Sequence, residues 1–169
     1  MACTKIYLAL GSNLGDRINY IIQAIDALSS FLKLKKVSTV YKNPPWGITS
    51  QPEFLNCVAE FETTLPPFEL LKALKELEKS LGRIERERWG PREIDIDILL
   101  YGETVVNHEE LKIPHPYLNS RDFFLIPLVE ISEDLYHPVS KKPLKSYIDK
   151  NSLCEPFACI YQRSSLRFV

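Results

Sequence analysis

The run of residues 89–100, WGPREIDIDILL, constrains the fold more than any other part of the chain, because acidic and branched apolar residues alternate in it. Alternation with a period of two is typical of a β-strand, whose successive side chains point to opposite faces. The run therefore predicts a strand with two different faces. The acidic face holds Glu93, Asp95 and Asp97, and the apolar face holds Ile94, Ile96 and Ile98.

The apolar face of this strand requires a core, and the acidic face favours a cation. In a strand the α-carbons of Asp95 and Asp97 are about 6 to 7 Å apart, so their carboxylates can converge on one hard metal ion. Mg²⁺ is the expected ion, because it prefers oxygen ligands and keeps waters and substrate phosphates in its remaining positions. The alternative is a solvated strand face. Asp is disfavoured in strands, so two of them in a β-branched run favour the metal site.

Cationic charge is concentrated just ahead of this strand, although the whole chain is nearly neutral. The net charge of −1 gives no general attraction to nucleic acid or to an anionic membrane. Arg83, Arg86 and Arg88 are interleaved with acidic residues, so phosphate contact and a solvated surface are both open for them. Arg92 lies three residues before Asp95, and we expect its guanidinium to bind a phosphate that the metal also holds.

Length and cysteine usage limit the class of protein. A chain of 169 residues is expected to form one domain, residues 1–169, with a core of its own. The four cysteines form no CxxC pair, which favours a reducing cytoplasm over a disulfide framework. The sequence has neither a signal-peptide pattern nor an apolar run of about 18 residues, so we expect no membrane segment.

The order of the apolar patterns predicts an α+β fold. Strands are predicted at residues 5–10, 37–41, 54–63 and 94–101, with helices after Asp16 and from Pro67. Gly102-Glu103 predicts a hairpin into residues 104–106, followed by a short helix at 123–129 and a C-terminal extension with a strand and a short helix. The order βαββαβ is that of a ferredoxin-like sandwich, an antiparallel sheet with helices packed on one face. We expect the other face to remain open for a site.

Other candidate residues have two interpretations each. The loop at Gly11 lacks the spacing of phosphate-binding loops, so it is interpreted as a strand-to-helix turn. A lone histidine is usually structural, but His115 is close in sequence to Arg121, which favours phosphate contact. Phe54 is by residue type a core candidate. Asn56 shares its strand face, however, and an amide beside an aromatic ring suits a flat hydrogen-bonding heterocycle.

Four segments, taken together and in this order, resemble the 6-hydroxymethyl-7,8-dihydropterin pyrophosphokinases of folate biosynthesis. They are LALGSNLGDR, NPPWGITSQPEFLN, RWGPREIDIDILLYG and IPHPYLNSRDFFLIPL. The resemblance extends over most of the chain, from Ile6 to Pro138. It implies the transfer of a diphosphate from ATP, the co-substrate, to the hydroxymethyl group of the pterin, with release of AMP and the use of two Mg²⁺ ions.

The resemblance also implies roles for individual residues. The implied metal ligands are Asp95 and Asp97, which form the catalytic set together with Arg83 and Arg92. The implied ATP contacts are Arg83, Arg86, Arg88, Arg92, Ile98, His115 and Arg121. The implied pterin contacts are Asn43, Pro44, Trp46, Phe54, Asn56, Asp95 and Phe123, with the rings of Phe54 and Phe123 on the two faces of the pterin. Glu78 is implied to support the site without contacting the ligands itself.

Two other functions fit the sequence less well. A single-strand RNA binder on the same fold would carry the run K/R-G-F/Y-G/A-F-V-x-F/Y, which the sequence does not contain. A nucleotide-sensing module without catalysis would not need Asp95, Asp97 and Arg92 together. We therefore expect an enzyme that acts on ATP and 6-hydroxymethyl-7,8-dihydropterin as a monomer, without nucleic-acid or membrane partners.

Overall fold

The structure is a computed structural model that describes residues 3–45, 47, 49–162 and 167–168. Its strands are Thr4–Ser12 (β1), Lys33–Val37 (β2), Val40–Asn43 (β3), Phe54–Thr63 (β4), Asp95–Tyr101 (β5), Val106–Asn107 (β6), Lys112–Ile113 (β7), Glu155–Ala158 (β8), Tyr161–Gln162 (β9) and Arg167–Phe168 (β10). Its helices are Arg17–Leu28 (α1), Pro67–Ser80 (α2) and Asp122–Ile131 (α3), with 3-10 turns at Leu118–Ser120 and Leu144–Tyr147. Within the described ranges, no helix is long and apolar enough to cross a bilayer.

One antiparallel sheet forms the centre of the fold, with strand order β5-β1-β4-β3-β8 and with β2 also paired to β4. β2 and β3 lie end to end along β4, so together they occupy the place of one interrupted strand. The order of elements is then β1, α1, β2 with β3, β4, α2 and β5. This confirms the predicted ferredoxin-like α+β sandwich, and β8 of the C-terminal extension adds a strand at one edge.

Apolar side chains are buried on both faces of the sheet. The cluster between the sheet and helices α1 and α2 includes Ile21, Ile25, Phe61, Leu70 and Leu74. The cluster between the opposite face and α3 includes Tyr7, Val58, Leu99, Phe124 and Leu128. The prediction of an open second face is therefore wrong, because the apolar residues of α3 are buried by covering it. A pocket opens at the end of that face, where β1, β4 and β5 meet.

β1 is longer than its apolar pattern predicts. The strand continues to Ser12, so Gly11 is a paired strand residue rather than the start of a turn. It lies opposite Asn56 on β4 and opposite Asp95 on β5. The chain turns later, at Gly15, whose φ of +66° favours glycine. Three neighbouring strands thus bring a glycine, an amide and a carboxylate side by side.

The predicted helix starts are confirmed, but one predicted hairpin is wrong. Asp16 accepts a hydrogen bond from the first turn of α1, and α2 begins at Pro67. The chain turns after Gly102 as expected, but β6 then pairs with β7 rather than with β5. The backbone N–H of His115 donates to the carbonyl of Leu99 at 3.1 Å. The edge of β5 that faces away from β1 is therefore bonded to this later segment and not to β6.

The strand predicted at 37–41 is interrupted between Val37, the end of β2, and Val40, the start of β3. The side chain of Ser38 satisfies the backbone hydrogen bonds at this break. The N–H of Ser38 donates to the carbonyl of Val58 at 2.9 Å, and the hydroxyl oxygen of Ser38 accepts from the N–H of Val58 at 2.9 Å. The same hydroxyl donates to the carbonyl of Thr39 at 2.8 Å. The break removes the strand carbonyl that would have accepted from the N–H of Val58, and the hydroxyl of Ser38 replaces it. Ser38 is 3% exposed, so water could not provide that acceptor instead.

We predict that Ser38→Ala lowers the free energy of unfolding by about 1 to 3 kcal/mol, because it leaves the buried N–H of Val58 without an acceptor. Urea denaturation followed by circular dichroism measures the change. Ser30→Ala is the matched control, since Ser30 is exposed on the surface, and we expect a change within about 0.5 kcal/mol. Equal effects of the two substitutions would contradict the role of Ser38.

Candidate active site

Asp95 and Asp97 lie on the same face of β5, at the end of the sheet where the pocket opens. They face two small residues of β1, Gly11 and Ala9, and their side chains are 20% and 27% exposed. Glu93 precedes the strand, and its carboxylate binds the arginine-rich loop instead. Of the three acids predicted to share one strand face, only Asp95 and Asp97 do so.

Two arginines bind the two oxygens of Asp95. Arg83 Nη1 donates to Oδ1 at 2.9 Å, and Arg92 Nη1 donates to Oδ2 at 3.1 Å. The same nitrogen of Arg83 lies 2.8 Å from Oε1 of Glu78, which is 2% exposed. The other carboxylate oxygen of Glu78 accepts the N–H of Ile96 at 2.7 Å. Glu78 thus ties α2 to β5 and holds Arg83 at the aspartate.

The pKa values of the two aspartates are shifted in opposite directions. At Asp95, burial raises the pKa, but the charges of Arg92 and Arg83 outweigh burial and hold the pKa below its ordinary value. At Asp97, burial comes first, and the neighbouring Asp95 charge adds to it, so the pKa lies well above its ordinary value. Two adjacent carboxylates of which one resists ionisation form a site that a cation would stabilise.

The chemistry of these donors fits a hard divalent ion. Mg²⁺ prefers carboxylate oxygens and fills its remaining positions with waters and phosphate oxygens. In the part of the chain that the structure describes, no three metal-binding side chains come together. An ion held by Asp95 and Asp97 would therefore depend on water and substrate oxygens for its other ligands, as Mg²⁺ does in nucleotide sites.

The pocket beside the aspartates lies between the end of the sheet and α3. Its wall combines aromatic rings with polar groups and includes Gly11, Phe54, Asn56, Trp89, Asp95 and Phe123. The rings of Phe54 and Phe123 are half-buried, whereas Phe124 behind them is 2% exposed and belongs to the core. Rings next to an amide and carboxylates suit a flat polar heterocycle. The structure thus brings together four residues that the sequence analysis assigned to one ligand, Phe54, Asn56, Asp95 and Phe123.

Aromatic rings surround Arg121, which also lines this pocket. Its Cζ atom lies 4.7 Å from the ring centroid of Tyr117, and 5.2 to 5.4 Å from those of Trp89, Phe123 and Phe124. Burial lowers the pKa of Arg121, and the nearby carboxylates oppose that shift. The guanidinium keeps its charge, so this wall of the pocket carries a positive charge among aromatic rings, a chemistry that suits an anionic ligand.

His115 is neutral and lies beside Asp97. Burial lowers the pKa of His115 to about 4, and the charge of Arg121 adds to that shift. Its Nδ1 accepts the N–H of Tyr117 at 3.1 Å, so the ring proton is on Nε2. Nε2 lies 4.0 Å from Oδ1 of Asp97. A neutral donor in this position suits a phosphate oxygen rather than a metal ion.

A second cavity of about 270 Å³ lies on the other side of Asp97. Its walls include Lys75, Ile98, Leu111 and His115, and Asp97 lines both this cavity and the first pocket. Two of the predicted nucleotide contacts, Ile98 and His115, therefore line the same cavity as Asp97. Charged residues, among them Lys75, Glu110 and Lys112, form about as much of its wall as apolar ones do.

The other two arginines of the loop bind groups away from the aspartates. Arg86 forms two hydrogen bonds of 2.8 Å with Glu93, and this pairing, which outweighs the effect of burial, lowers the pKa of Glu93 to about 2. The Cζ atom of Arg88 lies 4.7 Å from the ring of Trp89. Both arginines line a polar cavity next to Arg92, and their contact with phosphate stays a prediction.

The last residue of β3 and the loop after it are the remaining residues that were predicted to contact a pterin. Asn43 is 4% exposed and accepts a hydrogen bond from Asn56. Pro44 borders a separate cavity on the other side of Phe123. Trp46 lies outside the described residues, so its contact stays a prediction.

The sequence analysis did not single out Trp89 or Asn13, although both belong to the site. Trp89 lines the pocket and has a φ of +66°, which is rare for a bulky residue. Asn13 is 1% exposed, accepts from the N–H of Arg92 at 2.9 Å and donates to Gln51 at 2.8 Å. Gln51 in turn donates to the carbonyl of Trp89 at 2.7 Å. The WGPR run marks Trp89 in the sequence, but the links between the three loops form only in the folded chain.

The chain is similar to known proteins over most of its length. A sequence model of the family described as 7,8-dihydro-6-hydroxymethylpterin-pyrophosphokinase (HPPK) matches residues 7–133. The 2-amino-4-hydroxy-6-hydroxymethyldihydropteridine pyrophosphokinase of Aquifex aeolicus is 53% identical over 155 residues, which cover 92% of this chain and 96% of that protein. The protein of the same name from Bacillus subtilis is 44% identical over 131 residues, which cover 76% and 78% of the two chains.

Solved structures share the fold. Wild-type HPPK-DHPS of Plasmodium falciparum with pteroate superposes with a TM-score of 0.70 at 15% identity. The superposition covers 86% of this chain and 42% of that longer chain, so it supports the fold of the shared part alone. The family match and the two bacterial relatives go further, since they extend over most of this chain at 44% and 53% identity. This chain belongs to the 7,8-dihydro-6-hydroxymethylpterin-pyrophosphokinase family.

Proposed function

We propose that this chain transfers a diphosphate from ATP to the hydroxymethyl group of 6-hydroxymethyl-7,8-dihydropterin and releases AMP, a step of folate biosynthesis. The observation that carries the proposal is a single pocket lined by Asp95, Arg92, Phe54, Phe123 and Asn56. The carboxylate and the arginine suit a metal-bound triphosphate, and the rings and the amide suit a pterin. Membership of the pyrophosphokinase family supports the same reaction.

We assign two Mg²⁺ ions to Asp95 and Asp97. When bound, the ions would neutralise phosphate charge and orient the triphosphate. The support for this assignment is the pair of adjacent carboxylates, in which the pKa of Asp97 is raised by burial and by the charge of Asp95.

For this transfer, the protein has to position the two substrates and compensate charge, and no general base is required. The pterin hydroxyl oxygen attacks the β phosphorus, and the bond from that phosphorus to the oxygen shared with the α phosphorus breaks. The hydroxyl proton leaves to solvent, and AMP departs with the shared oxygen. Arg92 and Arg83 lie beside Asp95 and would offset the charge on the departing AMP. Arg121 and His115 would bind other phosphate oxygens.

The nucleoside of ATP is assigned to the second cavity, against Ile98. Asp97 lines both cavities. The triphosphate of an ATP whose nucleoside is bound in the second cavity would therefore extend past Asp97 toward the pterin pocket. Arg86 and Arg88 are assigned to the phosphates as well. Arg86 is bound to Glu93 in this structure, so we expect the triphosphate to compete with that carboxylate for the guanidinium.

The faces of the pterin are assigned to Phe54 and Phe123, and its edge to Asn56 and to the loop of Asn43, Pro44 and Trp46. The partial exposure of both rings supports this assignment, because a ring that served only the core would be covered as Phe124 is. The backbone of the loop, rather than its side chains, would meet the pterin.

We further infer a cytoplasmic monomer whose partners are ATP and the pterin, rather than nucleic acid or a membrane. Cys3, Cys57 and Cys154 are free thiols, which supports a reducing compartment. The net charge of −1 supports the lack of a nucleic-acid partner.

The product of ATP turnover tests the proposed function. The protein is incubated with ATP, Mg²⁺ and 6-hydroxymethyl-7,8-dihydropterin, and the nucleotides are separated by chromatography. AMP that forms only when the pterin is present would support diphosphate transfer. ADP as the product, or no turnover, would contradict it.

We predict that Asp95→Ala and Asp97→Ala each abolish turnover, because each removes an oxygen ligand of the metal. Asp97→Ala also removes the like charge next to Asp95, so its free energy of unfolding should stay within about 1 kcal/mol of the wild type. AMP release and urea denaturation measure the two effects. Asp26→Ala is the control, since Asp26 is exposed on α1. Near-normal turnover of either site variant at saturating Mg²⁺ would contradict the metal assignment.

Arg92→Ala is expected to lower kcat about 100-fold or more, while the dissociation constant of ATP changes far less. The guanidinium is needed most when charge develops on the departing AMP. Single-turnover kinetics and ATP titration separate the two quantities. Arg92→Lys should give an intermediate kcat, because it keeps the charge and loses the planar fork. An effect confined to KM would refute this role.

Phe123→Ala is expected to weaken pterin binding by about 1 to 3 kcal/mol, by analogy with aromatic stacking on nucleobases. ATP affinity should change far less, and Phe54→Tyr should be nearly silent because the stacking face is kept. Phe31→Ala is the control, since Phe31 is an exposed ring on another surface. If Phe123 served only the core, its loss would instead cost about 3 to 5 kcal/mol of stability and leave pterin binding unchanged in the folded fraction.

A further inference from the structure

Two buried amides next to the pterin pocket form a short chain of hydrogen bonds. Nδ2 of Asn43 donates to the carbonyl oxygen of Pro44 at 2.9 Å. Nδ2 of Asn56 donates to Oδ1 of Asn43. Both asparagines are 4% exposed. They are diagonal neighbours on β3 and β4, since Asn43 lies opposite Phe54 in the register.

This chain of hydrogen bonds has one direction. A backbone carbonyl accepts and cannot donate, so the end of the Asn43 amide that faces Pro44 is its NH₂ group. The carbonyl end of Asn43 then faces Asn56 and requires the NH₂ group of Asn56 in turn. The backbone of Pro44 therefore determines, through Asn43, which end of the Asn56 amide faces away from β3.

The end that faces away is Oδ1, and it lies beside Gly11 in the wall of the pocket. A Cβ atom built on Gly11 would lie 2.5 Å from Oδ1 of Asn56, so a larger residue would displace the amide. Among the residues that the structure describes, none donates a hydrogen bond to this oxygen. The pocket thus offers a ligand an oriented acceptor.

We propose that Asn43 is a positioning residue that determines the specificity of the pocket. By orienting Asn56, it makes the pocket present an acceptor and so selects a heterocycle with an N–H or amino donor at that edge. The proposal rests on the proposed function, and it gives the side chain of Asn43 a task other than touching the pterin. If Asn56 could turn by half a rotation, its NH₂ group would serve a ring acceptor equally well.

The test measures the dissociation constants of three ligands by calorimetry, with Mg²⁺ and a non-hydrolysable ATP analogue present. The ligands are 6-hydroxymethyl-7,8-dihydropterin, its 2-deamino analogue, which lacks the exocyclic amino donor, and its N3-methyl analogue, which lacks the N3–H donor. The wild type should bind at least one analogue about 10-fold or more weakly than the parent, because the oriented acceptor is then left unpaired. In Asn43→Leu, the parent should bind more weakly and the discrimination should fall to about twofold or less.

Asn43→Asp is the matched variant. One oxygen of the aspartate still accepts from the NH₂ group of Asn56, and the other can bind the carbonyl of Pro44 when the carboxyl is protonated. The Asn56 amide then stays oriented, and most of the discrimination should remain. If Asn43 only filled buried space, leucine would be tolerated and the buried charge of aspartate would do more harm. Stronger discrimination in Asn43→Asp than in Asn43→Leu would therefore support the orienting role, and the reverse would support a packing role.

Gly11→Ala provides a second route to the same outcome. Its Cβ atom would displace Oδ1 of Asn56 and should therefore reduce the discrimination as Asn43→Leu does. Gly11→Ala tests whether Oδ1 of Asn56 is the acceptor, and Asn43→Ala takes the place of Asn43→Leu if the leucine variant does not fold.

Two results would overturn the proposal: a wild type that binds both analogues as well as the parent, or full discrimination retained in a folded Asn43→Leu or Gly11→Ala. Failure of the proposed function looks different, because the wild type would then bind no pterin and release no AMP. Wild-type AMP release is therefore measured on the same preparation.

Discussion

The pairing of β1 between β4 and β5 is the constraint on which the site depends. This register places Gly11 between Asn56 and Asp95, so an amide of the proposed pterin pocket and a carboxylate of the proposed metal site are held across one strand. A slip by one residue in either pairing would turn every side chain of the moved strand to the opposite face. Apolar clusters on both faces oppose such a slip. The burial that stabilises the fold therefore also maintains the geometry of the site.

Charge at the site is balanced within the protein before any substrate arrives. Arg83 and Arg92 bind Asp95 and lower its pKa, whereas burial and the Asp95 charge raise the pKa of Asp97. With a cation bound, Asp97 would be ionised and Asp95 would need its arginines less. The two guanidiniums could then turn to the phosphates. In either state, neither Asp95 nor Asp97 would carry an uncompensated buried charge, which is costly in a protein interior.

Sequence patterns predict elements well where one periodicity runs without interruption. β4 has the predicted bounds, residues 54–63, and α1 and α2 begin where Asp16 and Pro67 indicate. These signals act between near neighbours, so a window of the sequence contains them. The strand at 37–41 fails for the opposite reason. Its break is stabilised by the hydroxyl of Ser38 on the N–H of Val58, a contact between distant segments that no local window contains.

By itself, the sequence determined which chemical groups the site could use: two aspartates two residues apart, a group of arginines, and an amide near aromatic rings. Only the tertiary structure decided which of them meet. It paired Arg86 with Glu93 and joined Asn56 to Asn43 by a hydrogen bond, and it covered the second face of the sheet with α3. The physical reason is range, because periodicity arises between neighbours along the chain, whereas ion pairs and amide orientation depend on side chains that only folding brings together.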